Sequence, residues 1–147
     1  MQCETIMRGV VAHLGPGVSA STVAKKMRDE GVGFLPICDA DDMVVGVVTD
    51  RDIAMRVCAE GRLHETPVGE IMTRDVISCR PTDTIGRVTE VMGRHQKSRL
   101  VVVDEHGKLR GVVSLTDLAH YDEPLRVAVL LRTICSRELR MRPPHDI

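Results

Sequence analysis

The sequence repeats itself at an offset of 65 residues, and this duplication limits the chain to folds built from two similar halves. Gly46-Val47-Val48 falls on Gly111-Val112-Val113 at this offset. Ile6-Met7 falls on Ile71-Met72, and the register holds without a gap between residues 6 and 119. Because chance matches do not keep one register over such a length, we interpret the chain as a tandem duplication.

Each copy predicts the element order β-α-β-β-α, which places the chain in the α/β (α+β) class. Short apolar runs rich in β-branched residues predict strands, and the spacing of Val23 and Met27, with Gly31 as a stop, is typical of a helix. Start segments, Met1–Met7 and Pro67–Met72, precede the two copies. The predicted strands are 10–13, 34–38, 44–49, 76–78, 99–103 and 109–114, and the predicted helices are 19–30, 50–60, 83–95 and 115–120.

The duplication predicts three segments, which are a first domain at 1–63, a second at 64–122 and a C-terminal helix with a flexible tail at 123–147. A unit of about 60 residues buries too little of its surface to be stable alone. We therefore expect the two repeats to pack about a pseudo-two-fold axis, with two equivalent clefts. Apolar residues on more than one face of 124–135 predict a buried helix, and 137–147 reads as a flexible tail.

Composition excludes several classes of function. With 43% hydrophobic and 1% aromatic residues, the core must be aliphatic, and a net charge of −1 gives no reason to expect a nucleic-acid partner. No apolar run approaches the roughly 20 residues of a membrane span, and the first residues lack a secretion signal, so we expect a cytoplasmic protein without a membrane partner. No nucleophile, phosphate-loop or metalloprotease motif is present, which predicts a protein that is not an enzyme.

Five cysteines without a C-x-x-C motif argue against a disulfide framework and against a closed metal site. One sharper hypothesis concerns Cys38, which ends a predicted strand, and Cys135, which lies on the C-terminal helix. If the helix returns to the sheet, the two thiols meet as a redox-sensitive pair or, with a histidine, as a metal site. The alternative is two separate buried thiols.

A hydroxyl residue followed three positions later by an aspartate occurs at the same place in both copies, as Thr49/Asp52 and Ser114/Asp117. In each copy a predicted strand ends there and a helix begins. A single occurrence is typical of a helix N-cap. In matching context in both copies, the pattern also suits a ligand site, because the hydroxyl and backbone N–H groups can hold a phosphate and the carboxylate can accept both hydroxyls of a ribose.

Four segments carry a resemblance to a known family. Leu35–Asp39, Gly46–Asp52, Glu70–Thr73 and Gly111–Asp117 resemble the motifs of a tandem pair of CBS (cystathionine β-synthase) domains, known as a Bateman module. The resemblance covers roughly residues 3 to 122. More narrowly, Thr49-Asp50-Arg51-Asp52-Ile53 and the tail Ile134-Cys135-Ser136 resemble stand-alone bacterial proteins made of two CBS domains. The second copy departs from the pattern, because it lacks an equivalent of Pro36.

The resemblance implies an adenosine-containing ligand of the AMP, ATP, NAD or S-adenosylmethionine class and no required cofactor. Asp52 and Asp117 would hold ribose, and Thr49 and Ser114 would contact phosphate. The residues implied around the adenine are Ala12, His13, Phe34, Leu35, Ile77, Ser78, Arg99 and Leu100. The nearest cations for a phosphate chain are Arg51, Lys97, Arg99 and His120. Because Arg99 stands where the first copy has Phe34, we expect the second cleft to suit the charged end of a nucleotide better.

The resemblance also implies a regulatory role in signal transduction or stress response. Pairs of CBS domains commonly form homodimers, and the C-terminal helix suits that contact. We therefore expect a nucleotide sensor that signals to an effector protein that the sequence does not identify. Two alternatives remain open at this point, which are a ligand-free dimeric scaffold and a redox-stress protein working through Cys38 and Cys135.

Overall fold

The computed structural model describes residues 1–9 and 14–141. Its helices and strands follow in the order α1 (Cys3–Ile6), β1 (Arg8–Gly9), α2 (Ala20–Glu30), β2 (Phe34–Cys38), β3 (Val44–Thr49), α3 (Asp50–Ile53), β4 (Ser78–Cys79), α4 (Ile85–His95), β5 (Arg99–Val103), β6 (Leu109–Ser114), α5 (Leu115–Tyr121) and α6 (Pro124–Met141). A π-helical turn, Ala54–Cys58, continues α3, and a 3-10 turn, Val68–Glu70, precedes β4. The α/β class and the C-terminal helix are confirmed.

The four longer strands, β2, β3, β5 and β6, have the predicted bounds. The first strand of the second copy differs, because β4 covers Ser78–Cys79 rather than the predicted 76–78. Its parallel pairing with β5 starts only at Ser78, opposite Val101. The predicted first-copy strand at 10–13 lies outside the described residues.

The two longer helices of the repeats start at hydroxyl caps and stop in left-handed backbone. Ser19 accepts a hydrogen bond from the Thr22 N–H, and Thr84 accepts the equivalent bond from Arg87. α2 ends at Gly31 with φ 65°, and α4 ends at Gln96 with φ 51°. A side chain in this conformation costs about 1 kcal/mol or more. For Gln96 the cost is offset by two hydrogen bonds with α6. The Gln96 side-chain amide donates a 3.0 Å bond to the Thr133 carbonyl, and Arg137 donates a 2.7 Å bond to the Gln96 backbone carbonyl.

The chain forms two compact units that cut across the repeat boundaries. The terminal unit comprises Met1–Gly9, Ile77–Asp104 and Arg110–Ile147, and the central unit comprises Val10–Val76 and Glu105–Leu109. In the terminal unit the described strands form a sheet in the order β1-β6-β5-β4, and in the central unit β2 and β3 form an antiparallel pair. Each unit therefore combines the body of one repeat with the start segment of the other, and in the structure these start segments extend beyond the predicted Met7 and Met72, to Gly9 and Val76.

The exchanged start segments dock in the same way in both units. In the terminal unit Arg8 pairs with Val112, and in the central unit Thr73 pairs with Val47 through two backbone bonds of 2.8 and 2.9 Å. These pairs are related by the 65-residue offset. The duplication is therefore preserved in the exchanged contacts as well as in the repeat bodies.

Glycines make these docking contacts possible. A Cβ on Gly111 would lie 2.5 Å from the Arg8 carbonyl oxygen, and a Cβ on Gly46 would lie 2.5 Å from the Met72 sulfur. Real Cβ atoms do not approach other heavy atoms so closely, so a side chain at either position would force a neighbouring atom to move. Gly46 and Gly111 are themselves equivalent positions of the repeat.

Both cores are aliphatic, as the composition predicts. The central unit packs residues of α2, β2 and β3 against the start segment that includes Ile71 and Met72. The terminal unit packs α4, β5, β6 and α5 with Cys3 and Ile6 of α1 and with Leu130 and Ile134 of α6. Burial of such side chains contributes about 1.5 to 3 kcal/mol each, so the start segments and α6 are integral parts of the cores.

Two helices differ from their predictions. The helix expected at 50–60 is α-helical only to Ile53, and it then widens into the π turn, in which the Ala59 N–H bonds to the Ala54 carbonyl. The prediction of a buried helix at 124–135 was wrong, because α6 runs on to Met141 and buries only one face. Residues 137–141 of the expected flexible tail are helical, and 142–147 lie outside the described residues.

Candidate functional site

In the central unit, the pattern Thr49/Asp52 forms a reciprocal cap where β3 meets α3. Thr49 Oγ1 accepts a 3.1 Å hydrogen bond from the Asp52 N–H, and Asp52 Oδ2 accepts a 2.9 Å bond from the Thr49 N–H. This capping box satisfies two backbone donors that the helix itself leaves free. It also fixes the Asp52 carboxylate at the end of the strand.

The terminal unit repeats this geometry with Ser114 and Asp117, where β6 meets α5. Asp117 Oδ2 accepts bonds from the Ser114 N–H at 2.8 Å and from the Ser114 hydroxyl at 2.6 Å. Ser114 Oγ accepts a 3.2 Å bond from the Asp117 N–H. Both copies of the motif therefore present an aspartate with one oxygen, Oδ2, committed to the cap.

The second oxygen of each aspartate faces an arginine. Asp52 Oδ1 lies 3.6 Å from Arg56 Nη2, and Asp117 Oδ1 lies 3.7 Å from Arg8 Nε. The carboxylates are largely covered, with 16% and 12% of their side chains exposed. Such ion pairs at partly exposed arginines contribute only about 0 to 1 kcal/mol to the free energy of unfolding. A ligand hydroxyl can therefore take the place of the arginine at small cost.

The two arginines come from different places in the fold. Arg56 lies one helical turn after Asp52, and its Nη1 also donates a 2.6 Å bond to the Ile71 carbonyl and a 3.4 Å bond to Thr73 Oγ1. Arg8 belongs to the exchanged start segment, and 71% of its side chain is exposed. Sequence reasoning missed both residues. The spacing of Arg56 from Asp52 could have revealed it, whereas only the β1–β6 pairing brings Arg8 to Asp117.

The residues predicted around an adenine divide between the units. Phe34 and Leu35 open β2, and Phe34 pairs with Thr49, which brings both next to the Asp52 cap. In the terminal unit the N–H of Val101 bonds to the carbonyl of Ile77 at 3.4 Å. The remaining terminal-unit members are Ser78, which pairs with Val101, and Arg99 and Leu100, which open β5. Ala12 and His13 lie outside the described residues.

The four predicted phosphate ligands are exposed. Arg99 begins β5, and Arg51 lies in the first turn of α3. Lys97 precedes β5, and His120 Nδ1 lies 2.9 Å from the Thr116 carbonyl. Their assignment to a phosphate chain stays a prediction.

The cysteines of the thiol-pair hypothesis have different environments. Cys38 is buried in the central unit, where burial and the carboxylates of Asp42 and Asp39 raise its pKa to about 11. Cys135 is exposed on α6 in the terminal unit. Both are free thiols. The prediction of two buried thiols is thus right for Cys38 and wrong for Cys135.

Two surface grooves lie away from the residues predicted to bind ligand. One, of about 480 Å³, is lined by residues that include Thr84, Tyr121 and Arg126, and the other, of about 510 Å³, by residues that include Arg62 and Pro67. Neither lining includes a residue predicted to bind ligand.

Within residues 1–9 and 14–141 no group of three or more histidine, cysteine or acidic residues is placed to hold a metal ion. The same residues contain no helix with the length and apolar character of a membrane span.

Two stretches of the chain, residues 3–58 and 68–123, match the CBS domain. The chain belongs to the CBS-domain family. This confirms the resemblance carried by the Gly46–Asp52 and Gly111–Asp117 motifs and accounts for the duplicated capping boxes.

Two bacterial relatives match most of this chain. The CBS domain-containing protein YhcV of Bacillus subtilis is 37% identical over 109 residues, which span 74% of this chain and 76% of YhcV. Hypoxic response protein 1 of Mycobacterium tuberculosis is 33% identical over 132 residues, which span 89% of this chain and 92% of that protein. The narrower resemblance to bacterial two-CBS proteins is thereby confirmed.

Solved CBS structures match the fold closely. Hypoxic Response Protein I with two coordinated zinc ions has a TM-score of 0.75 and 31% identity, with 84% of this chain and 100% of that one covered. The protein PAE2072 of Pyrobaculum aerophilum complexed with AMP has a TM-score of 0.75 and 26% identity, with 90% and 99% covered. The CBS domain pair of MJ0100, in complex with 5′-methylthioadenosine and S-adenosyl-L-methionine, has a TM-score of 0.73 and 26% identity, with 82% and 94% covered.

Proposed function

We propose that this CBS-domain protein is a non-enzymatic regulatory module that binds an adenosine-containing ligand through Asp52 and Asp117. The observation that carries the proposal is that both aspartates are held by a capping box and keep one oxygen facing a weakly paired arginine. Two structural neighbours support the ligand class, because one is complexed with AMP and another with S-adenosyl-L-methionine.

The chemistry of each site follows from this geometry. The two ribose hydroxyls are donors and need acceptors, and a fixed carboxylate can accept both. When a hydroxyl occupies Oδ1, the arginine nitrogen that faced it, Arg56 Nη2 or Arg8 Nε, can instead donate to a phosphate, to which a guanidinium binds strongly. A ligand that prefers one arrangement of the protein shifts the population toward it, and an effector protein can read this shift.

The experiment is thermal unfolding in the presence of AMP, ADP, ATP, NAD and S-adenosylmethionine. A ligand at about 100 times its dissociation constant adds about 2.7 kcal/mol to the free energy of unfolding. Asp52→Asn and Asp117→Asn keep a side-chain oxygen for the cap and remove the charge, and Asp50→Asn is the matched control on exposed α3. We expect the shift to disappear in one or both site variants and to persist in the control. No shift with any compound at millimolar concentration would refute the proposal for this ligand class.

The exposed face of α6 favours a second candidate, a homodimeric interaction module. Leu125, Val129 and Leu139 are 78%, 58% and 66% exposed. Apolar side chains on one helix face are a common feature of contacts between protein copies. Light scattering after gel filtration tests this: wild type should be a dimer and Leu125→Ser with Val129→Ser a monomer, and a monomeric wild type at high concentration would exclude it.

A further inference from the structure

Two cysteine thiols lie side by side in the core of the terminal unit, although they are 76 residues apart in sequence. The Cys3 and Cys79 sulfur atoms are 3.9 Å apart, and the residues are 0% and 4% exposed. Cys3 begins α1 in the exchanged start segment, and Cys79 ends β4 in the body of the second repeat. No local sequence pattern predicts this contact.

The backbone around the two sulfurs is already held in place. The Cys3 N–H donates a 2.8 Å bond to the Asp83 carbonyl, and the Glu4 N–H donates a 2.9 Å bond to the Pro81 carbonyl. α1 is thus fixed to the turn that follows Cys79. A disulfide needs a sulfur separation of about 2.05 Å. The sulfurs therefore have to approach by about 2 Å for the bond to form.

The pair is chemically asymmetric. The hydrogen bond from Cys79 lowers the pKa of Cys3 below its ordinary value, against the opposing effects of burial and of the carboxylates of Asp83, Asp117 and Glu4. The same hydrogen bond, together with burial, raises the pKa of Cys79. Because the thiolate is the reactive form, this direction favours Cys3 as the attacking sulfur and Cys79 as the resolving one.

We propose that Cys3 and Cys79 form a reversible disulfide that ties the N-terminal start segment to the second repeat when the protein meets hydrogen peroxide. The Cys3 thiolate attacks one peroxide oxygen, the O–O bond breaks, and the departing hydroxide takes up a proton to leave as water. The Cys79 sulfur then attacks the sulfur of the Cys3 sulfenic acid, the S–S bond forms and the S–O bond breaks. The hydroxide leaves with the Cys79 proton as a second water, so two thiols lose two electrons to the peroxide.

Burial and the other cysteines define the selectivity of this reaction. Both sulfurs are covered, so the oxidant must be small. Cys38 is buried with a raised pKa, and no other cysteine sulfur is within hydrogen-bonding distance of it among the described residues. Cys58 and Cys135 are exposed, and in the part of the chain that the structure describes neither sulfur has a cysteine partner within hydrogen-bonding distance, so peroxide oxidises them without an adjacent resolving thiol.

The test uses the full chain and a variant in which Cys38, Cys58 and Cys135 are replaced by serine, which keeps only the proposed pair. Reduced protein is treated with hydrogen peroxide, unfolded, alkylated and weighed by mass spectrometry. We expect a loss of two hydrogen masses, and its absence in matched variants that also carry Cys3→Ser or Cys79→Ser. The oxidised protein should melt on the order of 10 °C higher than the reduced protein, and a dithiol reductant should reverse the shift.

Peptide mapping of oxidised wild-type protein needs no substitution and keeps the proposal testable if a variant fails to fold. A cross-linked peptide containing Cys3 and Cys79 is the expected result. If both thiols remain open to alkylation under peroxide that oxidises Cys58 and Cys135, or if Cys3 or Cys79 is joined to another cysteine instead, the proposal is wrong.

Discussion

Replacing Gly111 with alanine should destabilise the protein more than the same change at Gly46, although the two glycines are equivalent positions of the duplication. A Cβ at Gly111 would lie 2.5 Å from the backbone oxygen of Arg8, and a Cβ at Gly46 would lie 2.5 Å from the side-chain sulfur of Met72. The backbone oxygen of Thr73 would lie 3.1 Å from the Cβ at Gly46, which is a smaller overlap than that at Gly111. Methionine has rotatable bonds and can move its sulfur. The Arg8 carbonyl belongs to β1 and cannot move without disturbing the β1–β6 pairing.

The magnitude follows from these contacts. Overpacking of a rigid site costs about 1 to 3 kcal/mol, and each hydrogen bond lost from the two-residue strand β1 costs about 0.5 to 1.5 kcal/mol. Replacing glycine with alanine also offsets about 0.4 to 1 kcal/mol of this loss, because alanine restricts the conformations of the unfolded chain. We expect a net loss of about 2 to 3 kcal/mol for Gly111→Ala and about 1 kcal/mol or less for Gly46→Ala.

Urea unfolding of both variants measures the difference, with the denaturation slope as a check that the unfolded states are alike. A second readout locates the damage. Displacement of β1 in Gly111→Ala should loosen α1 and make Cys3 and Cys79 open to alkylation in native buffer, whereas Gly46→Ala should leave them protected. Equal losses in the two variants, or a larger loss at Gly46, would refute the argument that a backbone obstacle is harder to relieve than a methionine.

Three further outcomes are expected. Arg8→Gln or Arg56→Gln should weaken AMP binding about tenfold without changing adenosine binding by calorimetry, because a charge-assisted bond to phosphate contributes about 1.5 to 3 kcal/mol; an equal loss for adenosine would contradict the phosphate role. The pKa of Cys38 is raised to about 11 from an ordinary 9, so the stability linked to its protonated thiol is fully present below pH 9 and is lost as pH rises to 11. Between pH 8 and 11 the free energy of unfolding should therefore fall by about 2 to 3 kcal/mol more in wild type than in Cys38→Ala, measured by urea titration. Parallel pH profiles of the two proteins would be inconsistent with this. Leu130→Ala should cost about 2 to 5 kcal/mol, while the exposed neighbour change Leu131→Ala should stay within about 0.5 kcal/mol; similar midpoints in urea would show that α6 does not pack as described.

Local patterns predicted the repeat bodies well because they depend on near neighbours. The β2 and β3 strands follow from short apolar runs on either side of an acidic turn, and the helices α2 and α4 follow from apolar residues at helical spacing. The hydroxyl–aspartate motifs were also readable, because each capping box is a local structure. The family added the ligand class, which neither Asp52 nor Asp117 implies alone.

Apart from Arg56 and the π turn, which are local, the missed features depend on contacts distant in sequence. Arg8 contacts Asp117, and Cys3 contacts Cys79, only because the start segments are exchanged. A pattern search within one repeat assigns Arg8 and Cys3 to the body of the first repeat, although they pack on the body of the second. The exposed face of α6 was misjudged for a related reason. Its apolar residues lie on several sides of the helix, and only the packing against α4 and α5 decides that Leu130 and Ile134 are covered while Leu125 is not.

The exchange of start segments also sets the order in which the chain can assemble as it is made. The central unit is nearly complete once residue 76 has left the ribosome, apart from residues 105–109. Met1–Gly9 is synthesised before its partner β6, which follows about a hundred residues later, a delay on the order of ten seconds at ordinary rates of synthesis. During that time Cys3 and Ile6 stay exposed to water and to other chains. Alkylation of ribosome-bound chains should find Cys3 reactive at a length of about 90 residues and protected in the full chain, and early protection would show that the N-terminal segment has found another partner.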